Sequence, residues 1–153
     1  MGNIQLLLRQ HVGAPCEPVV KAGDLVKKGT LVAKPTGLGA NIFSSVYGVV
    51  EEIKEDRIVI RPDEEQPDEY EKIPEGTPLE MVKAAGVVGM GGAGFPTGIK
   101  LDAHLDHGYI LINAAECEPG LEHNIQQLEQ QTDKVIRGVK YCMEITHADK
   151  AIF

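Results

Sequence analysis

The stretch that decides the fold of the first part of the chain spans residues 18–35 and reads "PVVKAGDLVKKGTLVAKP". Its apolar residues come in short groups that are separated by turns containing glycine. The apolar positions are Val20, Leu25, Val26, Leu31 and Val32, and the turns are Gly23-Asp24 and Gly29-Thr30. Short strands separated by glycine turns predict a compact β-barrel or β-sandwich.

The same pattern continues in residues 44–62, "SSVYGVVEEIKEDRIVIRP". Val46, Val49 and Ile53 are spaced as in a strand, and residues 57–60 form a second, tighter apolar run. Only 5% of the residues are aromatic and there is no Trp, so the core must be aliphatic. We therefore predict a small β-domain over residues 1–62.

Composition excludes several functional classes. With 153 residues, the chain suits one medium domain or two small ones. The net charge is −8 and no Lys/Arg cluster is present, which excludes nucleic-acid binding because that needs a concentrated positive surface. No apolar run is long enough for a signal peptide or a membrane span, so we expect a cytoplasmic chain without direct membrane insertion.

The cysteines and histidines show no metal-site pattern. Cys16, Cys117 and Cys142 are odd in number and far apart, which predicts neither a disulfide framework nor a self-contained zinc or iron–sulfur site. We predict that Cys16 and Cys142 are small packing residues. The five histidines, His11 among them, are predicted to lie at the surface.

Residues 61–78, "RPDEEQPDEYEKIPEGTP", contain four prolines and seven acidic residues without apolar periodicity. Like charges repel and proline removes backbone donors, so this composition predicts a solvated linker. We place the domain boundary here, with the linker at residues 63–78. Solubility explains the acidic run better than docking of a partner.

The periodicity changes after residue 78. "LEMVKAAG" predicts a short helix that ends at Gly86, and "YILINA" at residues 109–114 predicts a buried strand. Apolar residues between positions 122 and 145 follow one helical stripe, and "KAIF" at residues 150–153 reads as the start of another strand. Residues 79–153 therefore predict a strand–helix–strand layer, cut off at its last strand.

Residues 87–100, "VVGMGGAGFPTGIK", are unusually rich in glycine. Gly89, Gly91 and Gly94 satisfy the spacing of the dinucleotide fingerprint, but they follow a helix end rather than a strand. The stretch is not a Walker-type phosphate loop, because that motif has a lysine directly after its last glycine and Lys100 lies further along the chain. Glycines still let backbone N–H groups approach an anion, and Pro96 suits the first turn of a helix. The alternative is a turn needed only for close packing.

A second cluster, "INAAECEPG" at residues 112–120, follows the predicted buried strand. Ligands of α/β proteins usually bind at the carboxyl ends of strands. Asn113, Glu116 and Glu118 place an amide and two carboxylates there, which suits hydrogen bonding to ribityl or ribose hydroxyls and to ring N–H groups. Alternatively, acids before the helix at Glu122 favour its dipole, which explains one acid but not the whole group.

"GMGGAGFPTGIKL" and "INAAECEPG" together closely resemble the RnfC family and its relative, the flavin subunit of respiratory complex I. In those proteins the two motifs build an FMN and NADH site. RnfC-like proteins also begin with a lipoyl-like barrel, which "HVGAPCEPVVKAGDLVKKGTLVAK" resembles. The motifs do not separate subfamilies such as the RnfC-like protein of proline-reductase systems. The resemblance implies an α+β or α/β chain, with a lipoyl-like barrel-sandwich domain followed by a truncated Rossmann-like FMN/NADH-binding domain.

The resemblance also implies which residues bind the cofactors. They are Gly89, Gly91, Gly92, Gly94, Phe95, Lys100, Asn113, Glu116 and Glu118. The glycines would approach the flavin, Lys100 would lie near its phosphate or ribityl arm, and Asn113 and Glu116 would bind FMN. Phe95 would stack on NADH, and Glu118 would face the nicotinamide.

The function implied by the resemblance is an electron-transfer flavoprotein subunit. It would pass electrons between NADH, FMN and 4Fe-4S clusters whose ligands lie outside this segment, with other subunits of a redox complex as partners. It would be cytoplasmic and peripheral to a membrane complex, and this segment alone would be inactive. Ala115 departs from the complex I flavin subunit, which has Asp there. That departure favours an alternative, a docking module that has lost flavin binding.

Overall fold

The computed structural model describes residues 2–90 and 92–153. The chain forms two compact units, Met1–Lys100 and Leu101–Phe153. The elements of the first unit are β1 (Ile4–Leu7), β2 (Glu17–Pro18), β3 (Leu25–Val26), β4 (Leu31–Lys34), β5 (Ile42–Phe43), β6 (Gly48–Ile53), β7 (Arg57–Pro62), α1 (Pro78–Ala84) and α2 (Thr97–Lys100). Those of the second unit are β8 (Tyr109–Leu111), α3 (His123–Gln130), α4 (Thr132–Thr146) and β9 (Lys150–Ile152).

Two antiparallel sheets build the β-domain of the first unit. One has the order β1-β7-β6-β3 and the other the order β2-β4-β5. Their inner faces share one aliphatic core, in which Val32, Val50, Ile58 and Ile60 are fully buried. Cys16 lies in the same core, as predicted for a small packing residue. The predicted strands are therefore present, and in the described residues they form two sheets around a common core rather than a closed barrel.

The acidic segment, residues 63–78, lies against the β-domain. The side chain of Gln66 exchanges two hydrogen bonds with the backbone of Tyr47, at 2.9 and 2.8 Å. The backbone N–H of Glu71 donates to the carbonyl of Lys28 at 2.8 Å. Gly29 makes this approach possible, because it has φ +87° and a Cβ atom there would lie 2.5 Å from the Glu71 carbonyl oxygen. The segment predicted as a linker is thus anchored to the first unit, while its carboxylates remain exposed. The boundaries given above stay a prediction.

Helix α1 begins with a capping box. The N–H of Glu80 donates to the hydroxyl of Thr77, and the N–H of Thr77 donates to the carboxylate of Glu80 at 2.8 Å. The helix ends before Gly86, which has φ +66°, as the sequence predicted. Asn41 donates to the carbonyl of Ala84 at 3.1 Å and so fixes the helix end on the β-domain.

The second unit is a strand–helix–strand element. β8 and β9 are parallel neighbours, and α3 and α4 lie between them in the chain. The single helix predicted for residues 122–145 is interrupted at Gln131, which has φ −132° and ψ 31°. Thr132 donates its hydroxyl to the carbonyl of Leu128, a side-chain bond that competes with helix continuation.

The burial predicted for residues 109–114 is wrong for one face of β8. Tyr109 is 57% exposed and Leu111 is 76% exposed, whereas Ile110 between them is half-buried. Alternation of this kind marks a strand with one face packed and one open. The first unit is α+β, because its antiparallel sheets precede its helices, whereas the second unit has two helices between two parallel strands. Within residues 2–90 and 92–153, no helix combines the length and hydrophobicity that membrane crossing requires.

Truncation of Ile58 tests the aliphatic core. Ile58→Ala should lower the free energy of unfolding of the first unit by about 2–5 kcal/mol, because it opens a cavity at a fully buried position. Urea unfolding followed through the amide NMR signals of β6 and β7 measures the change. Leu25→Ala, at a 79% exposed position of the same sheet, is the matched control and should change stability by less than about 0.5 kcal/mol. Equal effects of the two substitutions would contradict this core.

The capping box predicts a pH dependence. Hydrogen bonds from the backbone and then the hydroxyl of Thr77 lower the pKa of Glu80. A depressed carboxyl pKa contributes stability above its unfolded value, and this stability is lost as pH falls through the folded value. Glu80→Gln should therefore destabilise the first unit at about pH 7, and this loss should shrink at about pH 3. Urea unfolding at both pH values measures it, with Glu55→Gln as control; a loss that is independent of pH would contradict the prediction.

Candidate functional site

The first group of candidate residues lies in a glycine-rich loop, residues 87–96, of the first unit. The loop follows the end of α1 and is closed by a bridge between Val88 and Pro96. Two backbone hydrogen bonds close it further, from Gly89 N–H to the Phe95 carbonyl at 3.0 Å and from Thr97 N–H to the Val87 carbonyl at 2.8 Å. The single-turn helix α2 begins directly after Pro96. Gly91, which was predicted to approach a flavin, lies outside the described residues.

The glycines of the loop serve different purposes. Gly94 has φ +67°, and a Cβ atom there would lie 2.9 Å from the Cα of His11, so close backbone packing explains this glycine. A Cβ atom at Gly92 would meet nothing within 4 Å, and one at Gly89 would meet its nearest neighbour only at 3.8 Å. Gly89 does not have a positive φ. The described fold therefore does not require these two glycines, which is the expectation for backbone that a ligand approaches.

Phe95 and Lys100 lie together at the end of the loop. The Lys100 Nζ atom is 6.0 Å from the centroid of the Phe95 ring, at the outer limit of a cation–π contact. The ring of Phe95 is 37% exposed, and Lys100 is exposed. An aromatic face and a cation are thus available to solvent beside the glycine-rich loop.

The second group lies in residues 112–120 of the second unit, directly after β8. Asn113 forms a local turn in which its side-chain oxygen accepts from the N–H of Ala115 at 3.0 Å. One carboxylate oxygen of Glu116, Oε1, accepts from the N–H groups of Asn124 at 2.8 Å and Ile125 at 3.1 Å. These donors belong to the first turn of α3, so Glu116 caps this helix from a distant position in the chain.

The other carboxylate oxygen of Glu116 has no hydrogen bond. Oε2 is buried and lacks a hydrogen-bond partner in the described part of the chain. The Nδ1 atom of His123 lies 3.2 Å away, near enough for an ion pair when the imidazole is protonated, but the two atoms form no hydrogen bond. A buried carboxylate oxygen without a donor is rare in proteins. Glu116 therefore combines a helix cap on one oxygen with an unsatisfied acceptor on the other.

The two groups belong to different units. Gly89, Gly92, Gly94, Phe95 and Lys100 lie in the first unit, and Asn113, Glu116 and Glu118 lie in the second. Glu118 and Cys117 are exposed. Helix capping, the alternative considered for the acids, is observed for Glu116. No group of three or more His, Cys, Asp or Glu side chains among residues 2–90 and 92–153 could hold a metal ion.

One residue of the loop's surroundings was missed from the sequence. His11 was predicted to lie at the surface, but it is only 7% exposed, and Gly94 lies against its backbone. His11 follows β1 in an irregular segment, where no apolar periodicity reports burial. Its position therefore depends on a contact with residues far along the chain.

Two family models match consecutive parts of the chain. Residues 2–66 match the RnfC barrel sandwich hybrid domain, and residues 82–153 match the Nuo51 FMN-binding domain. The residues of both candidate groups fall within the second match. The β-domain of two antiparallel sheets falls within the first.

Curated relatives match the chain across both parts. The chain is 39% identical to a subunit of the proton-translocating ferredoxin:NAD(+) oxidoreductase complex of Clostridium ljungdahlii, over 94% of the chain and 36% of that relative. It is 39% identical to a subunit of the ion-translocating oxidoreductase complex of Rhodobacter capsulatus, over 89% of the chain and 30% of that relative. Cobalamin reductase PduS of Citrobacter freundii is 52% identical over 48% of the chain and 16% of its own length.

The chain spans about a third of the length of the first two of these relatives. One of the two family models is the RnfC barrel sandwich hybrid domain, the two models follow each other along most of the chain, and both relatives match it nearly throughout. On this basis, the chain belongs to the RnfC family.

Proposed function

We propose that the chain belongs to an electron-transfer flavoprotein subunit and that residues 82–153 bind FMN within a Rossmann-like domain. The match of these residues to the Nuo51 FMN-binding domain carries the proposal. The fold and contacts of the candidate residues support it, since they offer the donors, acceptors and open backbone that such a ligand needs. Bound FMN would supply the conversion between two-electron and one-electron transfer.

The glycine-rich loop is suited to the flavin and its phosphate. Gly89 and Gly92 leave space where side chains would otherwise stand, so their backbone can approach a flat ring or an anion closely. Gly91 belongs to the same proposed contact. Lys100 supplies a positive charge for the phosphate, and Gly94 holds the loop on the β-domain.

Asn113 and Glu116 are the proposed partners of the ribityl hydroxyls and of ring N–H groups. The two N–H groups of α3 orient the carboxylate of Glu116. The unsatisfied Oε2 atom is then an acceptor for a donor on the ligand. A buried acceptor without a hydrogen bond gains one when the ligand arrives, in place of the contact with His123 Nδ1 at 3.2 Å.

The electron donor and the partners extend the proposal beyond FMN. Phe95 offers an exposed ring on which NADH would stack, and Glu118 would face its nicotinamide. Electrons would pass to 4Fe-4S clusters bound outside these residues, in a cytoplasmic assembly with other subunits at the periphery of a membrane complex. The names of the relatives, which belong to ion-translocating oxidoreductase complexes, support this extension.

A docking module without flavin is the second candidate. Ala115 is the observation that favours it, because the loop uses only the backbone of this residue. Its N–H bonds Asn113, and its carbonyl accepts from the side chain of Asn124 at 3.1 Å. The position at which the complex I flavin subunit has Asp therefore supplies no carboxylate here.

An FMN titration tests the proposal and separates the two candidates. Quenching of FMN fluorescence should be saturable, and Lys100→Ala and Glu116→Gln should each weaken binding by at least about tenfold, or about 1.4 kcal/mol. Gln keeps the oxygen that caps α3, so the second substitution removes charge and leaves the helix in place. Lys140→Ala and Glu129→Gln, at exposed positions of α4 and α3, are the matched controls.

The controls should bind FMN as the unsubstituted chain does, and circular dichroism should show unchanged helix content in all variants. Quenching that does not saturate would contradict an FMN site in these residues and favour the docking module. Saturable quenching that the controls weaken as strongly as the test variants would contradict the assigned residues but not FMN binding.

A further inference from the structure

His11 sits in a closed hydrogen-bond network inside the β-domain. Its Nδ1 atom lies 3.0 Å from the carbonyl oxygen of Val12, and the N–H of Ala40 donates to its Nε2 atom at 3.1 Å. The thiol of Cys16 lies 3.3 Å from Nε2 and 3.3 Å from the carbonyl of Ala40. His11 and Cys16 are both buried.

Both ring nitrogens of His11 face a carbonyl. Nδ1 lies near that of Val12, and Nε2 lies 3.1 Å from that of Ala40, so a proton on either nitrogen has an acceptor. With the proton on Nδ1, the ring donates to Val12 and Nε2 accepts from the N–H of Ala40. Burial raises the pKa of the Cys16 thiol, which keeps its proton and donates it to the carbonyl of Ala40. These contacts on both ring nitrogens hold the ring in one orientation.

Glycine backbone packs against His11 from two sides. A Cβ atom at Gly39 would lie 2.6 Å from the Cε1 atom of the ring. A Cβ atom at Gly94 would lie 2.9 Å from the Cα of His11 and 3.1 Å from the carbonyl oxygen of Gln10. Gly94 is the last glycine of the glycine-rich loop, so the loop is seated directly on the backbone of the buried histidine.

We propose that His11 is a positioning residue for the glycine-rich loop. Its ring fixes the backbone at residues 10–12 through Val12 and Ala40, and this backbone is the surface against which Gly94 lies. The conformation of residues 87–90 and 92–96 therefore depends on the β-domain. That His11 affects FMN affinity through the loop rests on the proposed function. That His11 positions the loop does not.

Hydrogen exchange of two loop amides tests the seating without any ligand. The N–H groups of Gly89 and Thr97 close the loop, and their exchange reports its opening. His11→Leu removes the ring's hydrogen bonds with Ala40 and Val12, so both amides should exchange at least about tenfold faster, while that of Val50 in β6 changes by less than about threefold. His11→Gln offers an oxygen to the N–H of Ala40 and should restore most of the protection.

Unchanged exchange at Gly89 and Thr97 in His11→Leu, with Val50 still protected, would overturn the proposal. Should Val50 also lose protection, the β-domain itself has opened and Gly94→Ala decides instead. The added methyl meets the backbone of His11 and leaves the aliphatic core intact. It should speed exchange at Gly89 and Thr97 and shift the amide resonance of Ala40. If it does neither, the proposal is wrong.

FMN fluorescence quenching with the same variants tests the functional consequence. His11→Leu should raise the dissociation constant by at least about tenfold, and His11→Gln should return it to within about threefold of the unsubstituted chain. No FMN binding by the unsubstituted chain would count against the proposed function, and the exchange rates would still decide the role of His11. A loosened loop with unchanged FMN affinity would overturn the link between the histidine and the cofactor.

Discussion

Direct contact between backbone and backbone, at positions where only glycine fits, holds the irregular parts of the first unit on its core. The acidic segment approaches at Gly29, the end of α1 at Gly86 and the glycine-rich loop at Gly94. In each case φ is positive, and a Cβ atom would meet backbone atoms at 2.9 Å or less. The two sheets supply the buried aliphatic surface, and the glycines let segments with few apolar side chains lie against it. These backbone contacts fix irregular segments on the core without large aromatic side chains to anchor them.

In the second unit, a side-chain carboxylate rather than a glycine contact fixes an irregular segment, the loop after β8. The first turn of α3 needs acceptors for its N–H groups, and Glu116 supplies one from the loop that follows β8. A carboxylate has two oxygens, so capping a helix with one of them leaves the other available as an acceptor. One oxygen is fixed by the helix, which leaves the other buried and without a donor. In the described part of the chain, the residue that stabilises α3 thus also carries a buried oxygen that lacks a hydrogen bond.

The sequence predicted the elements that depend on local chemistry. Alternation and glycine turns indicated the β-domain, Gly86 marked the end of α1, and the apolar runs marked β8 and β9. The break at Gln131 and the exposed face of β8 were not predicted. A helical stripe does not report a side chain that bonds its own backbone, and an apolar run does not tell whether a partner covers both faces of a strand. The acidic segment was expected to be a free linker, because its anchoring depends on Tyr47 and Gly29 rather than on its own residues.

By itself, the sequence determined that a β-domain is followed by a part containing helices, and it contains the two motifs that carry the family resemblance and the candidate residues within them. Each of these follows from residue types at short spacing. Only the tertiary structure decided which of these residues the fold itself uses. Among the described residues, close packing requires glycine at position 94 but not at positions 89 and 92. The tertiary structure also buries His11. The physical reason is distance along the chain. Contacts such as those between His11 and Gly94 form only when the core brings remote backbone together, and no local pattern records them.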